Sequence, residues 1–348
     1  METIKKEKGQ FYTTNADYIL SGMSGPPNNI RCVLEPFSGQ GDLIDWLKQK
    51  DYKGQIECYD IDPKTTNAMR RDTIKYPPDY TDTWILTNPP YLARNKSNNK
   101  ELYDMYDATD LYKCFINSVV QQNNCKGGIF IIPVSFFLSP MGKNIRCRAD
   151  FMKRFKITKV NYFEESVFND TTTSVVAFSF EKSKQELTEQ NLNWTFFPSR
   201  LERSFHVDET TGWIIGGDIY NLSVPPNVSI RRHVEGKPIE NNEQLTFITL
   251  KALDDNDESG KINLSYKKDH IYKAKDSSRT YATLCISGKT LSETEQIELC
   301  DKFNNFMNKK RQETFSLFLP QFREGSRKRI PFDLAYRVIL HLTTQNNL

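Results

Sequence analysis

The chain has 348 residues, 38% hydrophobic and 12% aromatic, which is long enough for two domains and apolar enough for a sizeable core. Its net charge of +3 hides an asymmetry, because residues 185–258 carry 6 Lys+Arg against 13 Asp+Glu while residues 259–348 carry 16 against 9. Seven cysteines, odd in number and without a C-x-x-C pair or a histidine cluster, argue for free thiols and against zinc; a charged N-terminus and the lack of a membrane-length apolar run argue for a soluble cytoplasmic protein.

In chain order, an aromatic pair and two hydroxyls, Phe11-Tyr12-Thr13-Thr14, precede a short helix expected over 16–20, where either threonine can serve as a cap. A Gly/Pro-rich linker over 21–29 leads to the strand at 31–34 and then Glu35-Pro36-Phe37-Ser38-Gly39-Gln40-Gly41, followed by an amphipathic run at 43–47. Gly39 and Gly41 let a backbone approach a ligand closely, and Glu35 at the strand end can accept from a cationic amino group. A dinucleotide fingerprint wants a third glycine, yet position 44 is Ile, and an acid here repels pyrophosphate.

The next strand, 55–59, delivers Asp60-Ile61-Asp62 one βα unit after the glycines, where an acid can hold ribose hydroxyls. Asp62 reads as the cap of a helix over 64–71, which Asp72 follows. The apolar run Thr83-Trp84-Ile85-Leu86-Thr87 reads as a buried strand stopped by Asn88-Pro89-Pro90-Tyr91. This turn offers an amide oxygen and a proline carbonyl, two acceptors for the two hydrogens of an exocyclic amine, and then a ring on which a base can stack. The plainer alternative is a strand-ending turn with a surface tyrosine.

The polar stretch 93–107 reads as a mobile lid or as idle surface. A helix over 110–120, an apolar strand over 129–134, a helix over 143–155 and strands at 157–163 and 174–180 complete the βα alternation, with Ser166-Val167-Phe168 between the last two. Beyond Lys184 the period changes, and short runs at 193–197, 245–250, 262–266 and 282–286 suggest a separate mixed domain. Residues 254–260 lack EF-hand spacing and read as a solvated loop. Ser292 and Glu295 form a capping box for a helix through about 310 that buries Ile297, Cys300, Phe303 and Met307. Arg323, Arg327, Lys328 and Arg329 flank Gly325 in an expected flexible basic loop, suited to phosphates or guanine edges, before a helix over 333–342. Charge alone reads equally well as a solvated face.

Over roughly residues 8–182, these stretches resemble, in order, the motifs of the gamma-class DNA adenine-N6 methyltransferases. Asn88-Pro89-Pro90-Tyr91 resembles motif IV, the stretch from Arg31 to Asp42 motif I, and the stretch from Lys8 to Asn15 motif X. The resemblance implies a Rossmann-like α/β methyltransferase sheet, mostly parallel with a final antiparallel hairpin, in residues 1–184. It implies a mixed α+β target recognition domain in residues 185–348. S-adenosyl-L-methionine is then the implied cofactor, with Tyr12 and Thr13 over its methionine end and Glu35, Pro36, Phe37, Gly39 and Gly41 around it. Asp60 would take the ribose, Ile61 and Asp72 the adenine, and Asn88 would border both cofactor and target.

Asn88, Pro89, Pro90 and Tyr91 would act on an adenine flipped out of double-stranded DNA. Phe168 would stack on its second face, although a core phenylalanine fits the same pattern. The four basic residues at 323–329 would contact DNA, no metal is expected, and a cognate restriction endonuclease would be a separate polypeptide. The oligomeric state, monomer or homodimer, stays open. Cytosine-C5 chemistry needs a thiolate usually found in Pro-Cys, and no cysteine follows a proline here. Cytosine N4, RNA, a protein glutamine and a non-catalytic DNA-binding subunit remain as alternatives.

Overall fold

The first half of the chain lays down β1 (Cys32–Glu35), β2 (Gln55–Asp60), β3 (Ala68–Arg70), β4 (Thr83–Thr87) and β5 (Gly127–Pro133), all mutually parallel. Every residue of β4 and β5 is buried, as expected of parallel strands covered on both faces. Glycine is required where they meet: a Cβ on Gly128 would lie 2.1 Å from the Ile85 carbonyl oxygen. Strands β6 (Phe155–Phe163), β7 (Val175–Lys182), β8 (Glu189–Phe197) and β9 (Leu201–Asp208) extend the sheet to the order β3-β2-β1-β4-β5-β7-β6-β8-β9. The computed structural model describes residues 13–168, 173–254, 260–323 and 327–344, and the chain divides into two units, Met1–Trp213 and Ile214–Leu348.

Chain order reverses between β1 and β4, so the connections leave their carboxyl ends in opposite directions and open a crevice there. Glu35 ends β1, Thr87 ends β4, and Asp60 ends the neighbouring β2. Beneath this edge, Phe130, Phe151, Phe178 and Phe180 interlock, with the rings of Phe130 and Phe180 only 4.6 Å apart. Each buried phenylalanine contributes about 2–3 kcal/mol by removal from water, so the strand ends rest on a stiff base.

The expected hairpin of β6 and β7 is present, with β7 inserted antiparallel between β5 and β6. It is not the last element of the sheet. β8 joins β6 in parallel and β9 follows antiparallel, so the first unit ends at Trp213 rather than at 184. The run at 193–197 belongs to β8, whose Trp194 and Phe196 pack against Tyr162. The expected helix at 64–71 is absent. Its Thr65-Thr66-Asn67 stretch is poor in helix formers and offers no apolar stripe, and Ala68–Arg70 instead hydrogen-bonds along β2 as an edge strand. Asp62 therefore caps no helix.

The stretch 93–107 is folded. It contains a 3-10 turn at Arg94–Lys96 and a helix at Glu101–Met105, with Tyr103 and Tyr106 buried and donating to the carbonyls of Leu92 and Ile74.

In the second unit β10 (Ser229–Arg232), β11 (Glu243–Lys251), β12 (Asn263–Tyr266) and β13 (Tyr281–Ser287) form an antiparallel sheet in the order β10-β13-β11-β12. The helix Glu293–Thr314 starts at the expected capping box and buries Leu299, Cys300, Phe303 and Met307. Ile297, expected on that face, is 43% exposed because the stripe runs through Gln296 and Leu299 instead. The side chain of Asn304 on this helix accepts from Leu264 N–H and donates to Leu264 O, both at 2.9 Å, satisfying the edge of β12. The helix Phe332–Thr344 adds Leu334, Val338 and Ile339 to the same core.

The basic stretch is not a loop throughout: β14 (Gln321–Arg323) pairs antiparallel with β15 (Arg327–Arg329), setting Arg323 opposite Arg327 and Gln321 opposite Arg329. Gly325 lies outside the described residues. Asp254, expected in a solvated loop, is buried, accepts from Ile262 N–H at 2.6 Å and pairs with Arg311; 255–259 lie outside the described residues.

Candidate active site

Because β1 and β4 are adjacent and parallel, their last residues meet. The Thr87 hydroxyl donates to Glu35 Oε1 at 2.6 Å, and Phe37 N–H donates to the same oxygen at 3.1 Å. Glu35 is 1% exposed and its Oε2 has no partner among the described residues. Burial pushes its carboxyl up to about 8, the two hydrogen bonds work against this, and the nearby charge of Asp60 adds to it.

The turn after β1 is built by glycine. Gly39 and Gly41 have φ of 52° and 91°, a region that side chains disfavour. In that conformation Gly39 N–H points across to β2 and donates to Asp60 Oδ2 at 2.8 Å, while Asp62 N–H donates to Asp60 Oδ1 at 2.8 Å. Asp60 thus ties two turns together at the crevice. Ile61 beside it is 45% exposed, an apolar surface at the rim. Pro36 O accepts from the buried Thr73 hydroxyl at 2.9 Å, and the Phe37 ring packs edge-on against Phe115. Asp72 uses Oδ1 to accept from the N–H groups of Ile74 and Lys75, so part of its carboxylate serves a local turn.

At the tip of β4, Asn88 is held from two sides. Its Nδ2 donates to the Thr13 hydroxyl at 3.1 Å, and its Oδ1 accepts from the Tyr91 hydroxyl at 2.5 Å. Pro89 is buried and Pro90 half-buried, which fixes the turn without backbone donors. Tyr91 is buried, its hydroxyl well above the usual phenol range through burial, and its ring meets Tyr112 and Phe168 edge-on. Phe168 is also buried. The Tyr91 and Phe168 rings lie 6.4 Å apart at 63°. A base between two parallel faces needs about 7 Å, twice the contact distance of stacked carbons. The two rings, expected from the sequence to sandwich a base, therefore do not form a parallel slot.

Thus Thr13, Glu35, Asp60, Asn88, Tyr91 and Phe168 are linked, directly or through one neighbour, at one end of the sheet. Tyr12 lies outside the described residues. Lys328, in the second unit, is half-buried with Nζ 3.3 Å from Phe315 O, while β14 and β15 carry Arg323, Arg327 and Arg329 in a ladder. Thr87 was missed from the sequence, where it reads as the end of a strand. The available signal was a hydroxyl at the end of an apolar run, directly before Asn88.

Behind Tyr91, Lys113 is buried in a polar network with Asp110, Thr109 and Asn144 at 2.6–2.9 Å, also unforeseen. Among the described residues no group of three His, Cys, Asp or Glu could hold a metal ion, and no helix is long and apolar enough to cross a membrane.

The donor set fits S-adenosyl-L-methionine. A buried acid with an oxygen unpartnered among the described residues suits a cationic ligand, glycines open the turn, and Asp60 adds a second carboxylate beside it.

Residues 83–168, which carry the Asn88 turn and Phe168, match the Eco57I restriction-modification methylase family. A type II methyltransferase, M.AccI of Acinetobacter calcoaceticus, is 23% identical over 336 residues, covering 80% of this chain and 59% of its own length. The chain thus spans about three-fifths of that relative. Among solved structures, a modification subunit of a putative type I restriction enzyme from Vibrio vulnificus is similar with a TM-score of 0.43 at 14% identity, over 57% of this chain and 49% of that one. The type IIG restriction endonuclease BpuSI gives 0.41 at 12%, over 67% and 36%.

Proposed function

We propose that the chain transfers a methyl group from S-adenosyl-L-methionine to N6 of an adenine flipped out of double-stranded DNA, as the modification activity of a restriction–modification system. The observation that carries this reading is the Asn88 turn at the carboxyl end of β4, one residue from the Thr87–Glu35 hydrogen bond. Target chemistry and cofactor pocket thereby share one strand end. The match of residues 83–168 to restriction-modification methylases and the likeness to a type II methyltransferase support DNA as the substrate class.

The bound cofactor supplies an electrophilic methyl group. Glu35 and Asp60 would hold it, with Pro36, Phe37, Gly39, Gly41, Ile61 and Asp72 lining the rim and Thr13 beside Asn88. On the target side, Asn88 Oδ1 and the Pro89 carbonyl accept the two hydrogens of the exocyclic amine. Its lone pair is then less committed to the ring and free to attack. With these acceptors in place the amine nitrogen would take the methyl group, the cofactor leaving as its thioether, and the amine would release one proton to solvent. Pro90 keeps the turn rigid, and Tyr91 and Phe168 turn to stack on the base. Arg323, Arg327, Lys328 and Arg329 contribute positive charge for the DNA backbone. The restriction nuclease would be a separate polypeptide acting in the same cytoplasm.

Transfer of labelled methyl to unmethylated duplex DNA, followed by separation of nucleosides, tests the reading. Label in N6-methyladenine is expected. Label in N4-methylcytosine would overturn the base assignment, and label confined to RNA or protein would overturn the substrate.

A further inference from the structure

Thr87 ends a strand whose three middle residues, Trp84, Ile85 and Leu86, are apolar and buried. It is completely buried, and a buried hydroxyl on a β-strand needs a partner. That partner is Glu35 Oε1, at 2.6 Å across the β1–β4 boundary. Phe37 N–H completes the coordination of the same oxygen. Both donors fall on Oε1, and Oε2, also buried, has none among the described residues. The carboxyl group cannot rotate to share them without giving up both bonds. One oxygen is therefore anchored, and the other keeps its full capacity to accept.

An uncharged acid does not resolve this arrangement. If Oε2 carried the proton, that proton would itself lack a buried acceptor. If the group were ionised, the charge would be unpaired in a dry site. An incoming cation with an N–H to donate would both satisfy the atom and balance the charge. The groups facing Glu35 from other strands do not supply it: Asp60 is an acid, and burial pushes the Cys58 thiol up to about 11, with Lys48 acting on that thiol from beyond.

We propose that Thr87 is the positioning residue of this pocket: its hydroxyl holds the Glu35 carboxylate by Oε1 so that Oε2 receives the ammonium group of the cofactor, and binding expels a proton from Glu35. This rests on the methyltransferase reading above. Thr87 touches neither substrate, yet it joins the cofactor acid to the strand end that carries Asn88.

The consequence is a linkage between proton and ligand. With the Glu35 carboxyl near 8 in the free protein, ligand affinity falls about tenfold for each pH unit below that value, because each unit removes a factor of ten in ionised carboxylate. Removing the Thr87 donor raises the carboxyl further, so the break in the profile moves to higher pH.

Calorimetric titration of the whole chain with S-adenosyl-L-methionine and with S-adenosyl-L-homocysteine, at about pH 6 to 9 and in buffers of different ionisation enthalpy, provides the test. Both ligands carry the ammonium group, so both report on Glu35 whether or not methyl transfer occurs. Wild-type protein is expected to release close to one proton per ligand at about pH 7. Thr87→Val, nearly the same volume without the donor, is expected to bind about tenfold more weakly at neutral pH with its break shifted upward, and Thr87→Ser to restore both. Should the valine variant not fold, Glu35→Gln serves instead, and loss of the proton release is the expected result. A Thr87→Val profile that superposes on wild type, or a Glu35→Gln protein that still releases the proton, would overturn the inference. Wild-type protein that binds neither ligand at any pH would overturn the methyltransferase reading itself.

Discussion

Tyr91 donates its phenolic proton to Asn88 Oδ1 across 2.5 Å, and the Tyr91 hydroxyl oxygen also lies 3.0 Å from the Ile131 carbonyl oxygen. A phenol has one proton, so two acceptors share it. The end of the sheet is thus rich in acceptors, an environment suited to a group with N–H bonds to offer.

Replacing Tyr91 by Phe keeps the ring and removes that proton. We expect the variant to lose about 1–3 kcal/mol of stability, since buried acceptors are left underpaired. The Asn88 amide also loses its orientation, so turnover should drop several-fold while affinity for the cofactor stays unchanged. Chemical denaturation together with single-turnover transfer would check both; a variant with wild-type stability and rate would show that the contact does neither job.

Asn88→Ala removes the amide acceptor while leaving Glu35 and Asp60 in place. Loss of a preorganised polar group aimed at the reacting centre typically costs about 100-fold or more in rate. Transfer should fall by at least that factor with cofactor affinity within about threefold of wild type, as read by calorimetry. Parallel loss of both would remove Asn88 from its role in the chemistry.

Asp60 should behave in the opposite way. Its two oxygens accept from Gly39 and Asp62 N–H groups and hold both turns of the crevice. Asp60→Ala is expected to weaken cofactor binding about 10- to 100-fold, from two lost charge-assisted hydrogen bonds, while the rate at saturating cofactor is largely kept. A lowered rate with unchanged affinity would contradict this.

Glu35 also predicts how stability depends on pH. Its carboxyl is raised from 4.5 to about 8 in the folded chain. Between those values the folded state holds a proton that the unfolded state has released. Stability contributed by this group is present below about 4.5 and is lost as pH rises toward about 8. The melting temperature of the ligand-free protein should therefore decline across that range, and less so in Glu35→Gln. Equal slopes in the two proteins would show that Glu35 is not held neutral.

Much of the first unit is readable from local pattern. The apolar runs of β4 and β5, the glycines after β1 and the prolines after β4 each have one physical meaning, and together they fix where the strand ends meet. The box at Ser292 and Glu295 is equally local: Ser292 N–H donates to Glu295 Oε2 at 2.8 Å, and Glu295 N–H to Ser292 Oγ at 3.3 Å.

Where pairing partners are distant, pattern fails. Ala68–Arg70 becomes a strand only because β2 offers a free edge. β8 joins the first sheet through β6, although its sequence neighbours point to another domain. Residues 93–107 look polar in sequence, yet two tyrosines spaced three apart anchor them. The Thr87–Glu35 bond spans 52 positions, and nothing local at either residue announces it. The rotation of Tyr91 against Phe168 is likewise a property of packing, not of the motif.

The central claim is that the Asn88 turn presents two acceptors to an adenine amine beside a bound methyl donor. The most direct measurement is labelled-methyl transfer to duplex DNA by wild-type and Asn88→Ala protein, both first shown to bind the cofactor, with the product nucleosides resolved. N6-methyladenine is expected from wild type and none from the variant. N6-methyladenine from both at similar rates, or label in another nucleoside, would contradict the claim.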